Sequence, residues 1–482
     1  MILYEVIFFL SKTFKLVGAL SKTLFAGDFL GGSLFAANHQ GESMIDVINN
    51  LDVDYFLLGN HEFDFGSDRL AELMDKSNFV WLGSNVRDSS DGSLFHIVKD
   101  TDIFDVKIES GVIRVGIFGV CTEMTPVLSD PGEKVIFENV IDHCNRCVSL
   151  LQSEGVNFII AMTHVDLAHD LLVAAINGID IVVGGHDHRT VFEPHPTSGA
   201  LVIKCGQDLD QLGMLDISFS DKNTNDDNNG SNGKDHTIVG KVSFTYDFQM
   251  LPVTSAAADP IIDARISYWR SLSGNGQDDE SLCCVEDLPL STLTVDLRQR
   301  ETAFACLIAE AVKYSYRQNG CQLGIQNGGF IRRDMKYKVG FTFKRSDLEE
   351  ELPFPRTPVL IRMSGRDIKL ALEQMIARAP EPVGSFPHLS DEWTVKYDLS
   401  QPSMSRILSI HYQGRSIEMD ETFLVAITDF YAAKGGDGVD AFTNRETIAS
   451  HERTVCDCAI EYFRMKQIVS GRLPQRFQLH SS

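Results

Sequence analysis

The strongest indication of the fold is Gly59-Asn60-His61-Glu62-Phe63-Asp64, which directly follows an apolar run at residues 55–58. Two further stretches are built in the same way. Thr163-His164 follows the apolar run 158–162, and Gly184-Gly185-His186-Asp187-His188 follows the run 179–183. Short apolar runs of this kind are typical of buried strands. The sequence therefore places metal-binding side chains at the ends of three predicted strands, which indicates a hydrolase with two metal ions.

Composition limits the classes of partner that the protein can bind. The chain has 482 residues, of which 43% are hydrophobic, and this is enough for two or three domains with packed cores. Its 43 Lys and Arg oppose 67 Asp and Glu, which gives a formal net charge of −24. A nucleic-acid polymer would be repelled by this charge. A small anionic substrate can still bind where metal ions supply positive charge.

The chain ends carry no convincing targeting signal. No run approaches the roughly 18 apolar residues that cross a bilayer. The first ten residues are apolar but contain Glu5 and lack a basic start, as a signal peptide would have. No apolar tail follows residues 471–482, so we expect no lipid anchor. The cysteines lack the spacing of a disulfide scaffold, and the compartment stays open.

The first half of the chain alternates short β-type runs with amphipathic patterns, which predicts a layered α/β domain. A polar run at 221–235 contains the sequon Asn229-Gly230-Ser231 and is expected to be a disordered loop. It separates the two strands of a predicted hairpin, 215–220 and 239–251. The other predicted strands are 55–58, 112–118, 158–162 and 179–183, and the predicted helices are 67–76 and 139–154.

A change in pattern marks the start of a second domain. A predicted helix at 256–273 leads into the polar segment 274–280, as at many domain boundaries. We therefore predict one domain at 1–255, a linker helix at 256–282 and an α+β domain at 283–475. The elements predicted in the second domain are helices at 301–316 and 364–378 and strands at 323–326, 394–397, 407–412 and 423–427.

Asp28 closes the apolar segment that precedes it and is the predicted bridging ligand. A carboxylate can bridge two cations because each oxygen can bind one of them. Taken alone, an Asp at the end of a strand is more often a turn or capping residue. The ligand-rich loops elsewhere in the chain favour the metal role here.

The loop after residue 58 combines a ligand with a proton-transfer pair. The side-chain oxygen of Asn60 can bind a metal, and His61 can face a substrate oxygen while Asp64 orients its ring. The structural alternative is an Asn-His turn with a capping Asp, which explains the turn but not the pairing. His61 and Asp64 are therefore the predicted catalytic residues.

The other predicted ligands are histidines. His164 follows a buried-looking strand, and His186 and His188 follow a Gly-Gly turn that lets the backbone approach closely. Two rings in a His-x-His arrangement can reach adjacent ions about 3.5 to 4 Å apart. Imidazole suits zinc, manganese or iron. His39 and His169 lack comparable neighbours and are expected to be surface or packing residues.

The ordered set Gly-Asp, Gly-Asn-His-Glu-Phe-Asp, Thr-His and Gly-Gly-His-Asp-His resembles the calcineurin-like metallophosphoesterases, and within them the 5′-nucleotidase family. The resemblance covers residues 24–442 and implies a β-sandwich flanked by helices, followed by a substrate-binding domain. It implies two divalent ions such as zinc or manganese. Asp28 would bridge them, Asn60, His164 and His186 would complete one site, and His188 would belong to the other.

One motif of that family is missing from the sequence. The family opens with Asp-x-His well before the Gly-Asp loop, and residues 1–27 contain no such motif. We expect either that the recorded start lies inside a longer gene or that the chain is a degenerate relative. In the second case the chain would bind nucleotides without hydrolysing them.

The resemblance also implies substrate contacts in the second domain. The stretch Asn327-Gly328-Gly329-Phe330-Ile331-Arg332 is similar to the family's Asn-Gly-Gly-x-x-Arg motif, and this makes Asn327 and Arg332 candidate contacts. Phe386 and Tyr431 would stack on a nucleobase, with Phe430 as a one-residue alternative, and Asp437 would bind the ribose or cap a turn. The ordinary alternative for both rings is core packing.

The function that the resemblance implies is metal-dependent hydrolysis of a nucleoside 5′-monophosphate to a nucleoside and phosphate. Hydrolysis of a 2′,3′-cyclic nucleotide or of a nucleotide sugar is an enzymatic alternative, because the same dinuclear centre can act on diesters. The expected partner is a small nucleotide. Family resemblance favours a secreted or surface protein, and the oligomeric state stays open.

Overall fold

The computed structural model of the protein describes residues 20–108, 111–221, 236–237, 242–253, 259–272 and 279–480. The chain divides into two units. The first comprises Asn38–Gly274 and the segment that ends at Gly31, and the second comprises Asn275–Ser482 and Gly32–Ala37. The first ten residues, the sequon at Asn229 and nearly all of the predicted loop 221–235 lie outside the described residues.

The first unit contains two sheets with parallel strands. Its strands are β1 Leu24–Phe25, β2 Tyr55–Leu57, β3 Val80–Leu82, β4 Val86–Asp88, β5 Thr101–Ile108, β6 Gly111–Cys121, β7 Val135–Phe137, β8 Phe158–His164, β9 Ile181–Gly184, β10 Thr190–Pro194, β11 Leu201–Cys205, β12 Gln211–Asp221, β13 His236–Thr237 and β14 Val242–Pro252. The helices up to this unit's end are α1 Leu34–Asn38, α2 Glu42–Ile48, α3 Ser67–Met74, α4 Thr125–Leu128, α5 Val140–Ser153, α6 Leu167–Ala174 and α7 Pro260–Leu272.

Strand pairing brings the loops that carry the predicted metal ligands to common edges of the sheets. Strands β1, β2 and β3 form a parallel sheet. A second sheet has the order β10-β11-β9-β8-β6-β5, in which β6, β8, β9 and β11 are parallel and both edge strands are antiparallel. The predicted hairpin is present as β12 and β14, with β13 beside β14.

The two sheets pack face to face, and helices cover the outer face of the larger one. Leu57 and Leu82 of the small sheet share a core cluster with Ile117 and Met162 of the large sheet. On the opposite face, α5 and α6 pack on the sheet through residues such as Leu151. Because both faces are covered, β8 is buried at every position and reads as a continuous apolar run. The predicted β-sandwich flanked by helices is confirmed.

Two sequence features have structural roles in this unit. Cys144 and Cys147 are buried in α5, and all ten cysteines of the chain are free thiols. The helix predicted at 256–273 is present as α7, and the side chain of Asp46 binds two of its residues. Nε of Arg265 and Nε1 of Trp269 donate to this carboxylate over 2.8 Å and 2.7 Å.

The second unit is an α+β assembly. Its strands are β15 Ser281–Val285, β16 Leu290–Ser291, β17 Leu323–Asn327, β18 Lys336–Tyr337, β19 Thr342–Lys344, β20 Pro358–Ser364, β21 Pro387–Leu389, β22 Trp393–Tyr397, β23 Ile407–Tyr412, β24 Arg415–Ser416, β25 Thr422–Thr428, β26 Thr447–Ser450, β27 Ile468–Val469 and β28 Phe477–Leu479. Its helices are α8 Thr294–Leu297, α9 Ala303–Ser315, α10 Arg345–Glu351, α11 Gly365–Met375, α12 Asp429–Lys434 and α13 Val455–Lys466.

A five-stranded sheet with the order β21-β17-β25-β20-β26 forms the centre of this unit. Strands β17 and β25 are parallel neighbours. The loops that follow them, which begin at Asn327 and include Asp437, therefore leave the sheet at the same edge. Across the ranges described above, no helix combines the length and apolar character needed to span a membrane.

Candidate active site

Four loops of the first unit carry the predicted metal ligands. Asp28 follows β1 and Asn60 follows β2, which is the parallel neighbour of β1. His164 ends β8, and His186 follows the parallel neighbour β9. Parallel strands end on the same edge of a sheet, and ligands collect at such edges.

Ligand atoms of Asp28, His164 and His186 lie within 4.8 Å of one another. Oδ2 of Asp28 is 2.9 Å from Nε2 of His164, and Oδ1 of Asn60 is 3.0 Å from Nδ1 of His186. Two donors bound at right angles to one ion at about 2.1 Å would be separated by about 3 Å. The donor set of carboxylate, amide oxygen and two imidazoles therefore fits a divalent cation. Among the described residues, His188 is not part of this group of three.

The tautomer of His164 supports a cation at this position. Its Nδ1 lies 2.6 Å from the carbonyl oxygen of Ala26, so Nδ1 carries the proton and donates it. In the neutral ring the Nε2 lone pair would face the Asp28 carboxylate and be repelled by it; burial opposes protonation of the ring, but the charge of Asp28 outweighs burial and raises the pKa of His164. A proton or a metal ion between the two acceptors removes the repulsion. Histidine ligands commonly donate their second ring N–H to a carbonyl in this way.

The electrostatics of the cluster set the charge states of two of its side chains, Asp28 and His186. Burial opposes ionisation of Asp28, but the charges of His164 and His61 outweigh it and hold the pKa of this carboxyl well below its usual range. Burial, followed by the charge of His164, lowers the pKa of His186 to about 3. Asp28 is thus an anion and His186 a neutral imidazole, and these are the forms that bind metals.

Three of the predicted ligands have backbone conformations that few non-glycine residues adopt. Asp28, His186 and His188 have φ angles of 61°, 80° and 61°, all in the left-handed region. Such conformations cost about 1–3 kcal/mol each and persist where the surroundings enforce them. A side chain at Gly59 would be excluded, because its Cβ would lie 2.4 Å from Oδ1 of Asp28.

His61 and Asp64 form the predicted pair. Nδ1 of His61 donates to Oδ2 of Asp64 over 2.8 Å, and Oγ of Ser129 donates to Oδ1 of the same carboxylate over 2.8 Å. This arrangement fixes the ring so that Nε2 is the nitrogen that can exchange a proton with a substrate oxygen. The backbone N–H of His61 donates to Oδ1 of Asp28 over 2.8 Å, which joins the pair to the ligand cluster.

Glu62 was given no role by the sequence analysis, although it lies inside the decisive stretch. Its buried carboxylate accepts hydrogen bonds from four backbone amides: Asp28 at 2.9 Å, Phe29 at 2.7 Å, Leu30 at 3.1 Å and Gly59 at 2.7 Å. It therefore ties the Asp28 loop to the Asn60 loop. Its place between His61 and Phe63 is the one sequence feature that could have indicated a role for Glu62. The fold shows that its partners are backbone amides.

The second unit brings together several of the predicted substrate contacts. Nδ2 of Asn327 donates to the carbonyl of Gly384 over 3.1 Å and to Oδ2 of Asp437 over 3.4 Å. The hydroxyl of Tyr431 donates to the same oxygen of Asp437. The three segments predicted to contact a nucleotide thus meet around Asp437.

The two rings predicted to stack on a base are packed in the core. Phe386 and Tyr431 are both 0% exposed and belong to one apolar cluster. Neither offers a face to a ligand in this structure, which is the packing that the core alternative describes, and a stacking role for these two rings stays a prediction. The partly exposed rings here are Phe354 and Phe430. The guanidinium of Arg332 lies 5.7 Å from the ring centre of Phe354, and that of Arg356 lies 5.4 Å from that of Phe430.

Comparisons with known proteins agree with both units. The family model for calcineurin-like phosphoesterases matches residues 10–190, and the model for the 5′-nucleotidase C-terminal domain matches residues 285–444. The 5′-nucleotidase of Mus musculus is 27% identical over 494 residues, covering 95% of this chain and 81% of the mouse protein.

Solved structures share the fold. A 5′-nucleotidase precursor from Thermus thermophilus superposes with a TM-score of 0.82 at 23% identity, covering 97% of this chain and 92% of that one. A sulfate thiohydrolase, SoxB, from the same genus superposes with a TM-score of 0.80 at 18% identity, covering 100% of this chain and 83% of that one. Calcineurin-like phosphoesterases use divalent metal ions. The chain therefore combines a calcineurin-like phosphoesterase domain with a 5′-nucleotidase C-terminal domain.

Proposed function

We propose that the protein hydrolyses nucleoside 5′-monophosphates to nucleosides and phosphate, with two divalent ions of the zinc or manganese type. The observation that carries this proposal is the joint geometry of the Asp28, His164 and His186 ligands and the His61–Asp64 pair. The names of the relatives supply the substrate class.

Asp28, Asn60, His164 and His186 would hold one ion, and His188 together with Asp28 would contribute to holding a second. When bound, the ions would supply positive charge for the phosphate oxygens and lower the pKa of the attacking water. The protonated ring of His61 would donate a proton to an oxygen on the phosphorus. Asp64, itself held by Ser129, would stabilise the imidazolium and keep Nε2 directed at the substrate.

Recognition of the nucleoside is assigned to the second unit. Asp437 can accept hydrogen bonds from ribose hydroxyls, and Asn327 holds that carboxylate in place. Arg332 can bind an anionic oxygen. We assign base stacking to Phe430 in place of Tyr431, because Phe430 is partly exposed whereas Tyr431 is buried.

The domain boundaries 1–255, 256–282 and 283–475 stay a prediction.

The test is phosphate release from AMP, 2′,3′-cyclic AMP and UDP-glucose, assayed side by side with added zinc, manganese or cobalt. We expect the protein to release phosphate from AMP. A chelator should abolish this activity, and adding the metal back should restore it. Turnover of only the cyclic nucleotide or the nucleotide sugar would select those alternatives. If no substrate is turned over and no metal is bound in any assay, the result would favour a protein that binds nucleotides without hydrolysing them.

A location outside the cytosol belongs to the same proposal and rests on family resemblance alone. Fractionation of cells that produce the untagged protein tests it. Activity confined to the cytosolic fraction would contradict it.

A further inference from the structure

Behind the loop that carries His186 and His188 lies a buried ion cluster that the proposed reaction does not use. Lys204, in β11, is 1% exposed at its side chain, and its Nζ contacts three oxygens. It lies 2.6 Å from Oδ2 of Asp170, 2.8 Å from Oδ1 of Asp187 and 2.9 Å from the carbonyl oxygen of Val165. Nζ donates hydrogen bonds to Asp170 and Val165, and its third contact, with Oδ1 of Asp187, is an ion pair.

Each contact reaches a segment next to a proposed metal ligand. Val165 directly follows His164, and Asp187 separates His186 from His188. Asp170 lies on α6 and accepts a hydrogen bond from Oγ1 of Thr163 over 2.6 Å. Lys204 therefore connects the segment after His164 to the loop that carries His186 and His188.

The loop at Asp187 needs such a restraint. His186 and His188 both have positive φ angles, a conformation that surrounding contacts must enforce. The other contacts of the Asp187 carboxylate are the backbone N–H of Leu167, which donates over 2.8 Å, and Nε of Arg189 at 3.6 Å. Arg189 is more exposed and farther away than Lys204, so it is the weaker restraint.

We propose that Lys204 is a positioning residue that fixes the His186-Asp187-His188 loop through Asp187 and thereby sets the metal affinity of the site. The proposal rests on the proposed function, because it takes His186 and His188 as ligands. Partners that orient metal ligands typically change affinity by about 10- to 100-fold when they are removed.

The test compares Mn²⁺ dissociation constants of the full chain, measured by electron paramagnetic resonance of free Mn²⁺. Asp170→Asn keeps the contact between Lys204 and Asp187, so we expect a dissociation constant within about threefold of the wild type. The double variant Asp170→Asn with Lys204→Met leaves the net charge of the cluster unchanged but removes the contact. We expect it to bind Mn²⁺ about 10- to 100-fold more weakly.

Lys313→Met is the matched control, because Lys313 also bridges two acids, Asp391 and Glu392, each at 2.8 Å, but lies in the second unit. We expect it to bind Mn²⁺ like the wild type. A structural role alone would lower thermal stability without changing the visible absorption spectrum of bound Co²⁺. We expect that spectrum to change in the double variant and to stay constant in Asp170→Asn.

If the double variant does not fold, Asp187→Asn tests the same contact from the other side and should weaken Mn²⁺ binding by about tenfold. Wild-type affinity and an unchanged Co²⁺ spectrum in these variants would overturn the proposal. A wild-type chain that binds Mn²⁺ but hydrolyses no nucleotide would overturn the proposed function, while the affinity comparison would still decide the role of Lys204. A wild-type chain that binds no Mn²⁺ would overturn both.

Discussion

The carboxylate of Glu62 accepts a hydrogen bond from the backbone N–H of Asp28 over 2.9 Å, although the two residues are 34 positions apart in the chain. The same carboxylate accepts the N–H of Gly59, one residue before Asn60. A buried anion that takes up several backbone amides thus fixes the distance between two loops that carry ligands.

Replacing Glu62 should therefore disturb both stability and metal binding. In Glu62→Gln one acceptor oxygen becomes an NH₂ group that faces backbone donors, which costs about 1–3 kcal/mol of unfolding free energy. We expect a lower midpoint in urea and weaker Mn²⁺ binding. Glu72→Gln is the control, because Glu72 is a surface residue with a 65% exposed side chain. Equal stability and equal Mn²⁺ affinity of the two variants would contradict the role of Glu62.

The pair of His61 and Asp64 should act on kcat. Loss of a positioned proton donor typically lowers rates by about 100- to 10,000-fold. We expect His61→Asn to lower kcat for AMP in this range with little change in KM, and Asp64→Asn to have a smaller effect of the same kind. Steady-state kinetics at saturating metal provide the measurement.

The control for this prediction is a second His–Asp pair with the same three-residue separation. Nδ1 of His169 lies 2.8 Å from Oδ1 of Asp166 at the surface, and the His169 side chain is 54% exposed. His169→Asn should leave kcat unchanged. Full activity in His61→Asn would exclude His61 from proton transfer.

Because the two rings differ in exposure, we expect alanine at Phe430 to affect substrate binding and alanine at Phe386 to affect stability. Phe430→Ala should raise KM for AMP by about 5- to 150-fold, since a stacked base contributes about 1–3 kcal/mol. Hydrolysis of methyl phosphate, which has no base, should be unaffected. Phe386→Ala removes a fully buried ring and should lower the unfolding free energy by about 3–5 kcal/mol. An unchanged KM in Phe430→Ala would return the stacking role to another residue.

Glu351 predicts a pH dependence of stability in the second unit. Burial raises the pKa of this carboxyl to about 7, even though Thr292, Tyr337 and the backbone of Arg333 donate hydrogen bonds to it. Between the unfolded value of about 4.5 and about 7, the folded protein holds a proton that the unfolded chain has released. The contribution of Glu351 to stability is therefore present below this window and is lost as the pH rises through it.

Over this window the loss amounts to about 3 kcal/mol. Glu351→Gln does not titrate, so its unfolding free energy should fall less than that of the wild type between pH 5 and pH 8. Urea unfolding followed by circular dichroism at both pH values measures the difference. Parallel pH profiles of the two proteins would show that Glu351 does not titrate in this window.

Much of the fold could be predicted because its signals are local. The apolar runs before Asn60 and His164 are strands, and the pattern that predicted helices at 139–154 and 301–316 is seen in α5 and α9. The hairpin of β12 and β14 was predicted in the same way. A run that is apolar at every position requires cover on both faces, so the layered architecture is implied by the strands themselves.

Residue type and position after a strand are visible in the chain and point to Asp28, Asn60, His164 and His186, but they point equally to His188, which among the described residues lies outside the group of Asp28, His164 and His186. The contacts that hold these side chains in place, and the burial of other residues, follow from the folded chain. Glu62 and Lys204 gain their roles from partners far away in sequence, and Phe386 and Tyr431 are buried by packing against distant strands. Side-chain type and spacing are local properties, whereas burial and the partners of a charged group depend on how the whole chain packs.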